Sequence, residues 1–533
     1  MREIERVSDA AGHSYAQMMH NAGYAAAAVI RRRFPAWFPG RKGNPVRVVI
    51  LVGPGNNGGD GLVCATALNE HDDAYPVDAR AYCLKRRSAA DAVYQSAIDA
   101  GITVCCSEDD PEQGILADWL KGADIVVDAL LGTGVARPIE GTLASVLNRL
   151  KVIMAGKKLQ LVALDGVTGM NYEMGSLDPC APQADLTVTF HAPKRGHYCY
   201  PAARANGELV IVSIGVPQED LAESHFQPSE QISLADDEVV QGMLPVRAPD
   251  ANKGTYGKVI VLGGCMDYAG APTLAAAAAY RAGAGLVTMG VPAGIQVSAT
   301  ILCREATFIT MSDAPSHLTP AVLSHIEKVM AVLDRRHAWV IGPGIGQNKE
   351  TGAFLRGFLD LWRAKSKTCQ LVIDADGLNH LSQMDGWPQL LPPMTVLTPH
   401  PGEMGRLTGL TVHEIQSNRM GVAMQYAQKW QTIVVLKGAF TVIAHPTEGA
   451  VVLPFTNPAL AVAGTGDVLA GCIGGLLAQG IAPYCAALCG AYLHASAGEM
   501  WRVTNGDAGL LAGDLLSYIP KVMIHLRECT IES

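Results

Sequence analysis

Short apolar segments alternate with Ala-rich, helix-forming segments along most of the chain, and this alternation limits the possible folds more than any other feature. Apolar runs of this length, bounded by Gly, Pro and Asp, are typical of strands that are buried on both faces. Strands that alternate with helices form a parallel sheet covered by helices, so the sequence predicts an α/β fold. In the first half we predict helices at residues 15–33 and 60–69 and strands at residues 46–52, 124–129, 159–164, 186–190 and 209–213.

The alternation starts again after a polar, acidic and Pro-containing stretch at about residues 216–252, which we interpret as a linker. Beyond it, apolar runs predict strands at residues 258–262, 339–341, 371–373, 395–397 and 432–436. A chain of 533 residues is too long for one ordinary domain and can bury more than one core. We therefore predict two α/β domains, residues 1–225 and residues 226–533.

Charge and cysteine usage exclude several classes of protein. The formal net charge is −9, charged residues make up only 17% of the chain, and no basic run is longer than Arg31-Arg32-Arg33. A protein that mainly binds nucleic acid is therefore disfavoured. The 13 cysteines form no CxxC pair, which argues against a zinc site and a secreted disulfide framework. We expect reduced thiols and a cytoplasmic location.

Two segments bear on secretion and on membranes. Residues 1–6 are charged and lack an apolar core, so we expect no secretion signal there. Residues 468–493 carry no charge, but glycines and Pro483 divide them into two shorter segments. We therefore predict two buried helices at this place and no membrane partner.

A glycine-rich turn, Gly464-Thr465-Gly466-Asp467, precedes an apolar helix of small residues. Glycines let backbone N–H groups approach an anion, and a helix N-terminus carries unpaired N–H donors, so this turn suits a phosphate. Beside a phosphate, Asp467 makes sense as a base that takes a proton from a hydroxyl about to receive a phosphoryl group. The alternative is that Asp467 only caps the helix, and the local pattern leaves both possibilities open.

Three predicted strands of the first half end in acids or amides together with glycines. They lead into the loop at residues 53–61, the segment that starts at Asp128 and the segment that starts at Asp165. Ligands of open α/β sheets bind at the carboxyl ends of the strands. Converging there, these segments would offer oxygen ligands for a cation and a site for a nucleotide. The alternative is a tight turn in which Asp60 caps a helix.

These segments, with Asn21-Ala22-Gly23 and the segment 192–197, resemble the epimerase domain that repairs hydrated NADH and NADPH, a Rossmann-like three-layer sandwich. The resemblance implies that Asp165 is a catalytic acid or base and that potassium binds near Asn57, Asp128 and Thr168. Thr168 keeps a hydroxyl where the family has a serine. The resemblance also implies that the hydrated cofactor is contacted by Asn56, Asn57, Gly58, Gly59, Asp60, Gly132, Thr133, Gly134, Val135, Ala136, Arg137, Pro138 and Asp165.

The second half contains a series of segments in the order of a ribokinase-like fold. They are residues 253–257, 268–272, 342–346, 374–379, 398–403, 437–441 and 464–467. Singly, each has a structural explanation: Asp374 as a cap, His400 as a hydrogen-bonded loop histidine and Lys437 as a solvated charge. Together they resemble the ADP-dependent NAD(P)H-hydrate dehydratase domain, a ribokinase-like three-layer α/β/α domain.

The dehydratase resemblance implies a set of contacts and cofactors. Asp467 would be the catalytic base at the substrate hydroxyl, and the hydrated dinucleotide would also touch Ala271, Gly344 and His400. ADP would be the phosphoryl donor, with magnesium neutralising its phosphates. The adenine nucleotide would be held by Lys437, Gly438, Ala439, Phe440, Thr441 and Gly466.

Both halves together resemble the bifunctional NAD(P)H-hydrate repair enzymes, which combine an isomerase and a lyase. The resemblance implies hydrated NADH or NADPH and an adenine nucleotide as partners, and such domains commonly form homo-oligomers. One alternative is a small-molecule kinase that phosphorylates an alcohol and releases the phosphoester. Another is that the N-terminal half only binds a ligand or serves as a scaffold.

Overall fold

The structure of the protein is a computed structural model that describes residues 2–70, 74–133, 138–216, 231–332, 337–365 and 369–528. The chain forms two compact units, Met1–His225 and Phe226–Ser533, each built around one sheet. Among the residues described, no helix combines the length and the apolar character that crossing a membrane requires.

The first unit contains seven parallel strands in the order β3-β2-β1-β4-β5-β6-β7. The strand order reverses between β1 and β4, which is the place where open α/β sheets bind ligands. The strands are β1 (Val46–Val52), β2 (Val77–Cys83), β3 (Thr103–Cys106), β4 (Ile125–Ala129), β5 (Gln160–Leu164), β6 (Leu186–Phe190) and β7 (Glu208–Val212). The α-helices described in this unit are Arg2–Ala10, Tyr15–Trp37, Asn56–Asn69, Ala92–Asp99, Gly114–Gly122, Gly141–Gly156 and Ala202–Ala205.

The central strand β1 is buried on both faces of this sheet. Val48 and Ile50 pack into one apolar cluster, and Val49 and Leu51 pack into another on the opposite face. Burial stabilises the fold by roughly 1.5–3 kcal/mol for each large aliphatic side chain. Since helices cover both faces, β1 is apolar at every position except Arg47, which explains its uninterrupted apolar run.

The predicted α/β class is confirmed, and the five strands predicted in this unit correspond to β1 and β4–β7 to within one residue at each end. The sequence analysis missed β2 and β3. In β2, Asp78 and Arg80 interrupt the apolar run, and their side chains form an ion pair at 2.7 Å. The strand β3 begins with the exposed Thr103 and ends with two cysteines, so it lacks a run of large aliphatic residues.

The second unit contains ten strands in the order β11-β10-β9-β12-β13-β14-β15-β16-β17-β8. The strand β16 is antiparallel to both of its neighbours, and the other pairs are parallel. The strands are β8 (Ile232–Leu234), β9 (Lys258–Leu262), β10 (Leu286–Gly290), β11 (Thr307–Ile309), β12 (His337–Ile341), β13 (Gln370–Ile373), β14 (Val396–Leu397), β15 (Ile433–Leu436), β16 (Val442–His445) and β17 (Gly449–Val452). The α-helices described here are Asp237–Met243, Gly270–Arg281, Gln296–Leu302, Leu323–Met330, Lys349–Lys365, Asp376–Leu381, Pro401–Thr408, Val412–Ser417, Arg419–Trp430, Thr465–Ala478, Pro483–Asn505 and Ala512–Glu528.

The five strands predicted for this half correspond to β9 and β12–β15, whereas β8, β10, β11, β16 and β17 were not predicted. The interpretation of residues 216–252 as a linker is wrong in part, because this stretch contains β8 and the helix Asp237–Met243. The strand β8 pairs with β17 at the edge of the sheet. An edge strand with no fully buried side chain needs no apolar run, so its sequence resembles that of a linker.

The two buried helices predicted at residues 468–493 are confirmed as Thr465–Ala478 and Pro483–Asn505. The first of them lies directly against the helix Gly270–Arg281. A Cβ atom added at Gly471 would lie 2.1 Å from the backbone oxygen of Ala275, and one added at Gly475 would lie 2.6 Å from that of Ala279. Small residues therefore allow the two helix backbones to touch and fix the position of the Gly464–Asp467 turn.

Candidate active sites

In the second unit, three adjacent strands bring polar side chains together at their carboxyl ends. Asp374 follows β13, Thr398 follows β14 and Lys437 follows β15. The Asp374 Oδ1 atom accepts hydrogen bonds from Lys437 Nζ at 2.6 Å and from Thr398 Oγ1 at 2.7 Å. The Lys437 ammonium also lies 3.6 Å from Glu403 Oε2. Asp374 is only 1% exposed, and its second carboxyl oxygen, Oδ2, has no hydrogen-bond partner.

The Gly464–Asp467 turn starts a helix beside this cluster. Gly464 is the N-cap with φ +94, a left-handed conformation that glycine adopts without steric cost. At Gly466, an added Cβ atom would lie 3.4 Å from Lys437 Nζ and 3.7 Å from Asp374 Oδ2. The helix begins at Thr465, so the alternative in which Asp467 is the N-cap is wrong. Asp467 instead lies in the first turn, close enough to Asp374 and Lys437 for their charges to affect its pKa.

Burial changes the proton affinity of two carboxyl groups in this site. It raises the pKa of Asp467 to about 7, with a further contribution from the negative charge of Asp374. It also raises the pKa of Glu403 to about 7. For Lys437, burial opposes the charged form, but Asp374 and Glu403 outweigh it and raise the pKa. Near neutral pH the site therefore exchanges protons easily, as a site for general-base catalysis must.

Of the residues expected to contact the hydrated dinucleotide, Gly344 and Ala271 lie against each other, and His400 lies beside this cluster. Gly344 has φ +62, and a Cβ atom added there would lie 2.9 Å from the Cβ of Ala271. His400 caps the helix Pro401–Thr408, because its Nδ1 accepts hydrogen bonds from the backbone N–H groups of Gly402 and Glu403. Its Nε2 lies 3.5 Å from Glu403 Oε1, and burial lowers the pKa of His400. His400 is thus both a satisfied histidine and a neighbour of the carboxylate cluster.

The segment expected to hold the adenine nucleotide is a tight loop after β15. Gly438 and Ala439 are exposed, and the backbone N–H of Phe440 donates a hydrogen bond of 2.9 Å to the oxygen of Phe455. Thr441 Oγ1 donates to the Gly438 oxygen at 2.9 Å. The structure brings Lys437 and Gly466 to the carboxylate cluster, so the loop and the helix start face one another there.

Sequence reasoning assigned no role to Glu403 or Thr398, and for Asp374 taken singly it offered a helix cap as the structural alternative. The cap of the helix Asp376–Leu381 is Ala375, so that explanation is wrong. Ala375 has φ +51, which is strained for a residue other than glycine and is typical of a functional turn. This strain and the bonds of Asp374 depend on neighbouring strands, so no local sequence signal could have indicated them.

In the first unit, Asp128 and Thr168 form a compact group at the carboxyl ends of β4 and β5. Thr168 Oγ1 donates a hydrogen bond of 2.7 Å to Asp128 Oδ1, and the Thr168 backbone N–H donates one of 2.8 Å to Oδ2. Burial raises the pKa of Asp128. Asn57 Nδ2 donates to the Leu131 oxygen at 3.1 Å, whereas the buried Asn57 Oδ1 has no partner. A buried carboxyl group beside an unpaired amide oxygen fits the ligand set of an oxygen-preferring cation.

Asp165 lies next to this group, directly after β5. Its backbone has φ +64, another strained conformation. Its Oδ1 accepts hydrogen bonds from Lys194 Nζ and, at 3.3 Å, from Thr189 Oγ1. A Cβ atom added at Gly132 would lie 3.2 Å from Asn57 Cβ and 3.8 Å from Asp165 Oδ2. Gly132 therefore lies between Asn57, an expected cation ligand, and Asp165, the expected acid or base.

The remaining residues predicted in this unit lie in the first turns of the helix Asn56–Asn69 and in the loop after β4. The helix Asn56–Asn69 begins at Asn56 with Gly55 as its cap, so the alternative in which Asp60 caps it is wrong. Burial and the charge of Asp165 raise the pKa of Asp60 well above its usual value. Thr133 and Pro138 are exposed. Gly134, Val135, Ala136 and Arg137 lie outside the described residues. Sequence reasoning gave no role to Lys194 or Thr189.

Both units present acids and glycines at the carboxyl ends of parallel strands, and in the first unit these strands flank the reversal of strand order. This arrangement is typical of α/β enzymes, which bind their ligands at that edge of the sheet. Residues 15–196 match the family model described as YjeF-related protein N-terminus, and residues 259–521 match that described as NAD(P)H-hydrate dehydratase. The chain belongs to the family of bifunctional NAD(P)H-hydrate repair enzymes, which confirms the resemblance of both halves.

Relatives cover almost the whole chain. The bifunctional NAD(P)H-hydrate repair enzyme Nnr of Moorella thermoacetica is 36% identical over 526 residues, which is 96% of this chain and 93% of the relative. The Nnr of Escherichia coli is 30% identical over 532 residues, 98% of this chain and 92% of the relative. Among solved structures, the ADP/ATP-dependent NAD(P)H-hydrate dehydratase of Bacillus subtilis, co-crystallised with ATP/Mg²⁺, is 32% identical. It matches 56% of this chain and 99% of its own, with a TM-score of 0.47.

Proposed function

We propose that the protein repairs hydrated NADH and NADPH at two sites. The site of residues 226–533 dehydrates the S hydrate to NAD(P)H at the expense of ADP, which yields AMP and phosphate. The site of residues 1–225 interconverts the R and S hydrates, so both are consumed. Family membership supports the pairing of these activities. The observation that carries the dehydratase is a buried carboxyl group, Asp467, in the first turn of a glycine-capped helix, with its pKa raised to about 7.

The chemistry explains why a base is needed at this helix start. The hydrate carries a hydroxyl at C6, and hydroxide is a poor leaving group. Asp467 takes the hydroxyl proton while the oxygen attacks the terminal phosphorus of ADP and AMP leaves. The electron pair of the ring nitrogen then expels phosphate, and loss of a proton from C5 restores the ring double bond. The free N–H groups of the Gly464–Asp467 turn hold the phosphoryl group during transfer.

Magnesium would serve this site by neutralising the nucleotide phosphates. It is usually bound through one or two carboxylates together with substrate phosphates and water. The unpartnered, buried Asp374 Oδ2 fits one such ligand. The nucleotide itself would contact Lys437, Gly438, Ala439, Phe440, Thr441 and Gly466, and the hydrate would contact Ala271, Gly344 and His400.

Potassium would serve the epimerase site by fixing its loops. Asn57, Asp128 and Thr168 would hold it, and the partnerless Asn57 Oδ1 and the buried carboxyl of Asp128 fit an ion that prefers oxygen ligands. A reducing cytoplasmic location is proposed from the sequence alone, because the 13 cysteines form no CxxC pair. A homo-oligomer stays a prediction that light scattering would test.

Epimerisation requires a base at the same hydroxyl. C6 carries both the hydroxyl and the ring nitrogen, so removal of the hydroxyl proton by Asp165 allows the C6–N1 bond to open into a carbonyl. The electron pair goes to N1 and is delocalised toward the ring carboxamide. Closure on the opposite face of the carbonyl forms the other epimer, and the proton returns from Asp165 to the oxygen.

One assay tests the proposed function as a whole. The full chain is given hydrated NADH or NADPH with ADP or ATP, and the absorbance of reduced nicotinamide is followed together with free phosphate. We expect both to rise. A stable phosphoester without reduced dinucleotide would identify a small-molecule kinase instead, and failure to convert pure R hydrate would reduce the first unit to a binding module.

A further inference from the structure

Lys194, in the segment that follows β6, is held more firmly than a lysine at a surface site. Its side chain is only 10% exposed, and its ammonium group donates to Asp165 Oδ1, to Thr189 Oγ1 at 2.9 Å and to the Phe190 backbone oxygen at 3.3 Å. A lysine ammonium has three N–H donors, so these three acceptors use all of them. The Lys194 backbone is also fixed, since its N–H donates to His197 Nδ1 at 3.1 Å.

Because all three N–H donors of the Lys194 ammonium group are in use, its possible roles are restricted. No donor is left for a substrate unless an existing hydrogen bond breaks, so the cation acts on its neighbours. Its main neighbour is Asp165, whose Oδ1 it shares with Thr189. The other oxygen, Oδ2, faces the Gly132 loop, where an added Cβ atom would lie 3.8 Å from it. One carboxyl oxygen is therefore tied down, and the other is presented to the loop expected to contact the hydrate.

An ion pair that is buried on both sides is well suited to hold a base. The Asp165 side chain is 13% exposed and that of Lys194 is 10% exposed, so the contact between them is largely shielded from water. The strained backbone of Asp165 needs neighbours that maintain it, and Lys194 and Thr189 both anchor its side chain. The geometry thus fixes one oxygen of the Asp165 carboxyl group and leaves the other oriented toward the Gly132 loop.

We propose that Lys194 is a positioning residue of the epimerase reaction, which holds Asp165 through Oδ1 so that Oδ2 takes the C6 hydroxyl proton. The inference rests on the proposed epimerase function and assigns it a residue beyond Asp165. Lys194 itself exchanges no proton with the substrate. Thr189 belongs to the same arrangement, because its hydroxyl bonds both partners of the pair.

The test uses the full chain and compares Lys194→Met, Lys194→Arg and Thr189→Val in the conversion of pure R hydrate to S hydrate. We expect Lys194→Met to lower kcat about a hundredfold, within the usual range for loss of general-base help, with KM changed less than about threefold. Lys194→Arg keeps the charge and should recover at least about a tenth of the wild-type kcat. Thr189→Val keeps its volume and should lower kcat about tenfold.

Lys151→Met is the matched control, since Lys151 is an exposed lysine of the same unit that donates to the Pro179 oxygen; its rate should equal that of the wild type. Dehydration of S hydrate reports an intact second unit in every variant. A kcat within about threefold of wild type in Lys194→Met or Thr189→Val would overturn the inference, as would a loss confined to KM. If Lys194→Met lowers the melting temperature, the volume-conserving Thr189→Val decides alone. A wild-type chain that fails to epimerise at all would refute the proposed function instead.

Discussion

Asp467 and Glu403 illustrate, at the scale of single residues, how burial adapts a carboxyl group to catalysis. The pKa of an ordinary aspartate lies well below neutral pH, so its carboxylate binds a proton too weakly to be an efficient proton acceptor. Burial raises the pKa of both carboxyls to about 7, while Lys437 limits the rise by its positive charge. The site therefore works near the pH at which a general base is most effective.

Asp467→Asn tests the role of this carboxyl directly. The amide has nearly the same size as the carboxyl group but accepts no proton, so we expect kcat for dehydration to fall at least about a hundredfold. ADP binding, measured by calorimetry, should stay within about threefold because the N–H groups of the turn are unchanged. A variant with a nearly wild-type rate would remove Asp467 from its role.

The pH dependence of dehydration follows from the same group. Asp467 must be ionised to accept the hydroxyl proton, and its pKa is raised to about 7. The kcat/KM for dehydration should therefore be nearly constant above about pH 8 and should fall about tenfold per pH unit well below pH 7. A profile that stays flat down to about pH 5 would show that no group with this pKa acts as the base.

At the scale of elements, the contact between the helices Gly270–Arg281 and Thr465–Ala478 positions the Gly464–Asp467 turn, which carries the proposed base. The backbones touch at Gly471 and Gly475, where neighbouring carbonyl oxygens leave no room for a side chain. A tightly packed interior transmits a shift of one helix to its end. Asp467 lies at that end, so packing far from the substrate contributes to the geometry of the base.

Gly471→Ala tests this contact. The added methyl group would lie 2.1 Å from the Ala275 oxygen, so the helices must move apart. We expect a loss of roughly 1–3 kcal/mol in the free energy of unfolding and a lower kcat for dehydration. Gly513→Ala is the control, because nothing lies within 4 Å of an added Cβ there; in the helix Ala512–Glu528 it should stabilise by up to about 1 kcal/mol. Equal stability of both variants would contradict the role of the contact.

At the scale of the whole molecule, two sites on one chain consume two epimers of one damaged cofactor. The first unit supplies an acid–base site that interconverts the epimers. The second unit supplies phosphoryl transfer, for which the orientation of the C6 hydroxyl matters. A chain that carries both units can remove both epimers of the damaged cofactor. Either site alone would leave part of the mixture unrepaired.

Asp165→Asn separates the two activities in the intact chain. Without the base of the first unit, R hydrate should remain once spontaneous equilibration has been subtracted, whereas S hydrate should be consumed at the wild-type rate. Chromatography of the two epimers over time measures both. In Asp467→Asn, by contrast, neither epimer should disappear. Equal consumption of R and S hydrate by Asp165→Asn would argue against Asp165 as the epimerase base.

The sequence by itself determined the α/β class, the central strands of both sheets and the glycine turn before Asp467, because buried strands and phosphate turns leave local patterns. The family resemblance could also be recognised from the sequence, in segments such as Asp165–Gly169. The sequence did not determine β2 or the edge strand β8, whose polar residues obscure the pattern.

Only the tertiary structure decided which side chains meet. Lys437 donates a hydrogen bond to Asp374, which is 63 positions away in the sequence, and Lys194 donates one to Asp165, which is 29 positions away. These residues meet because parallel strands of one sheet have their carboxyl ends at the same edge. The pKa of Asp467 likewise depends on burial and on charges from other strands. Proximity and burial arise from strand order and packing, and a linear pattern contains neither.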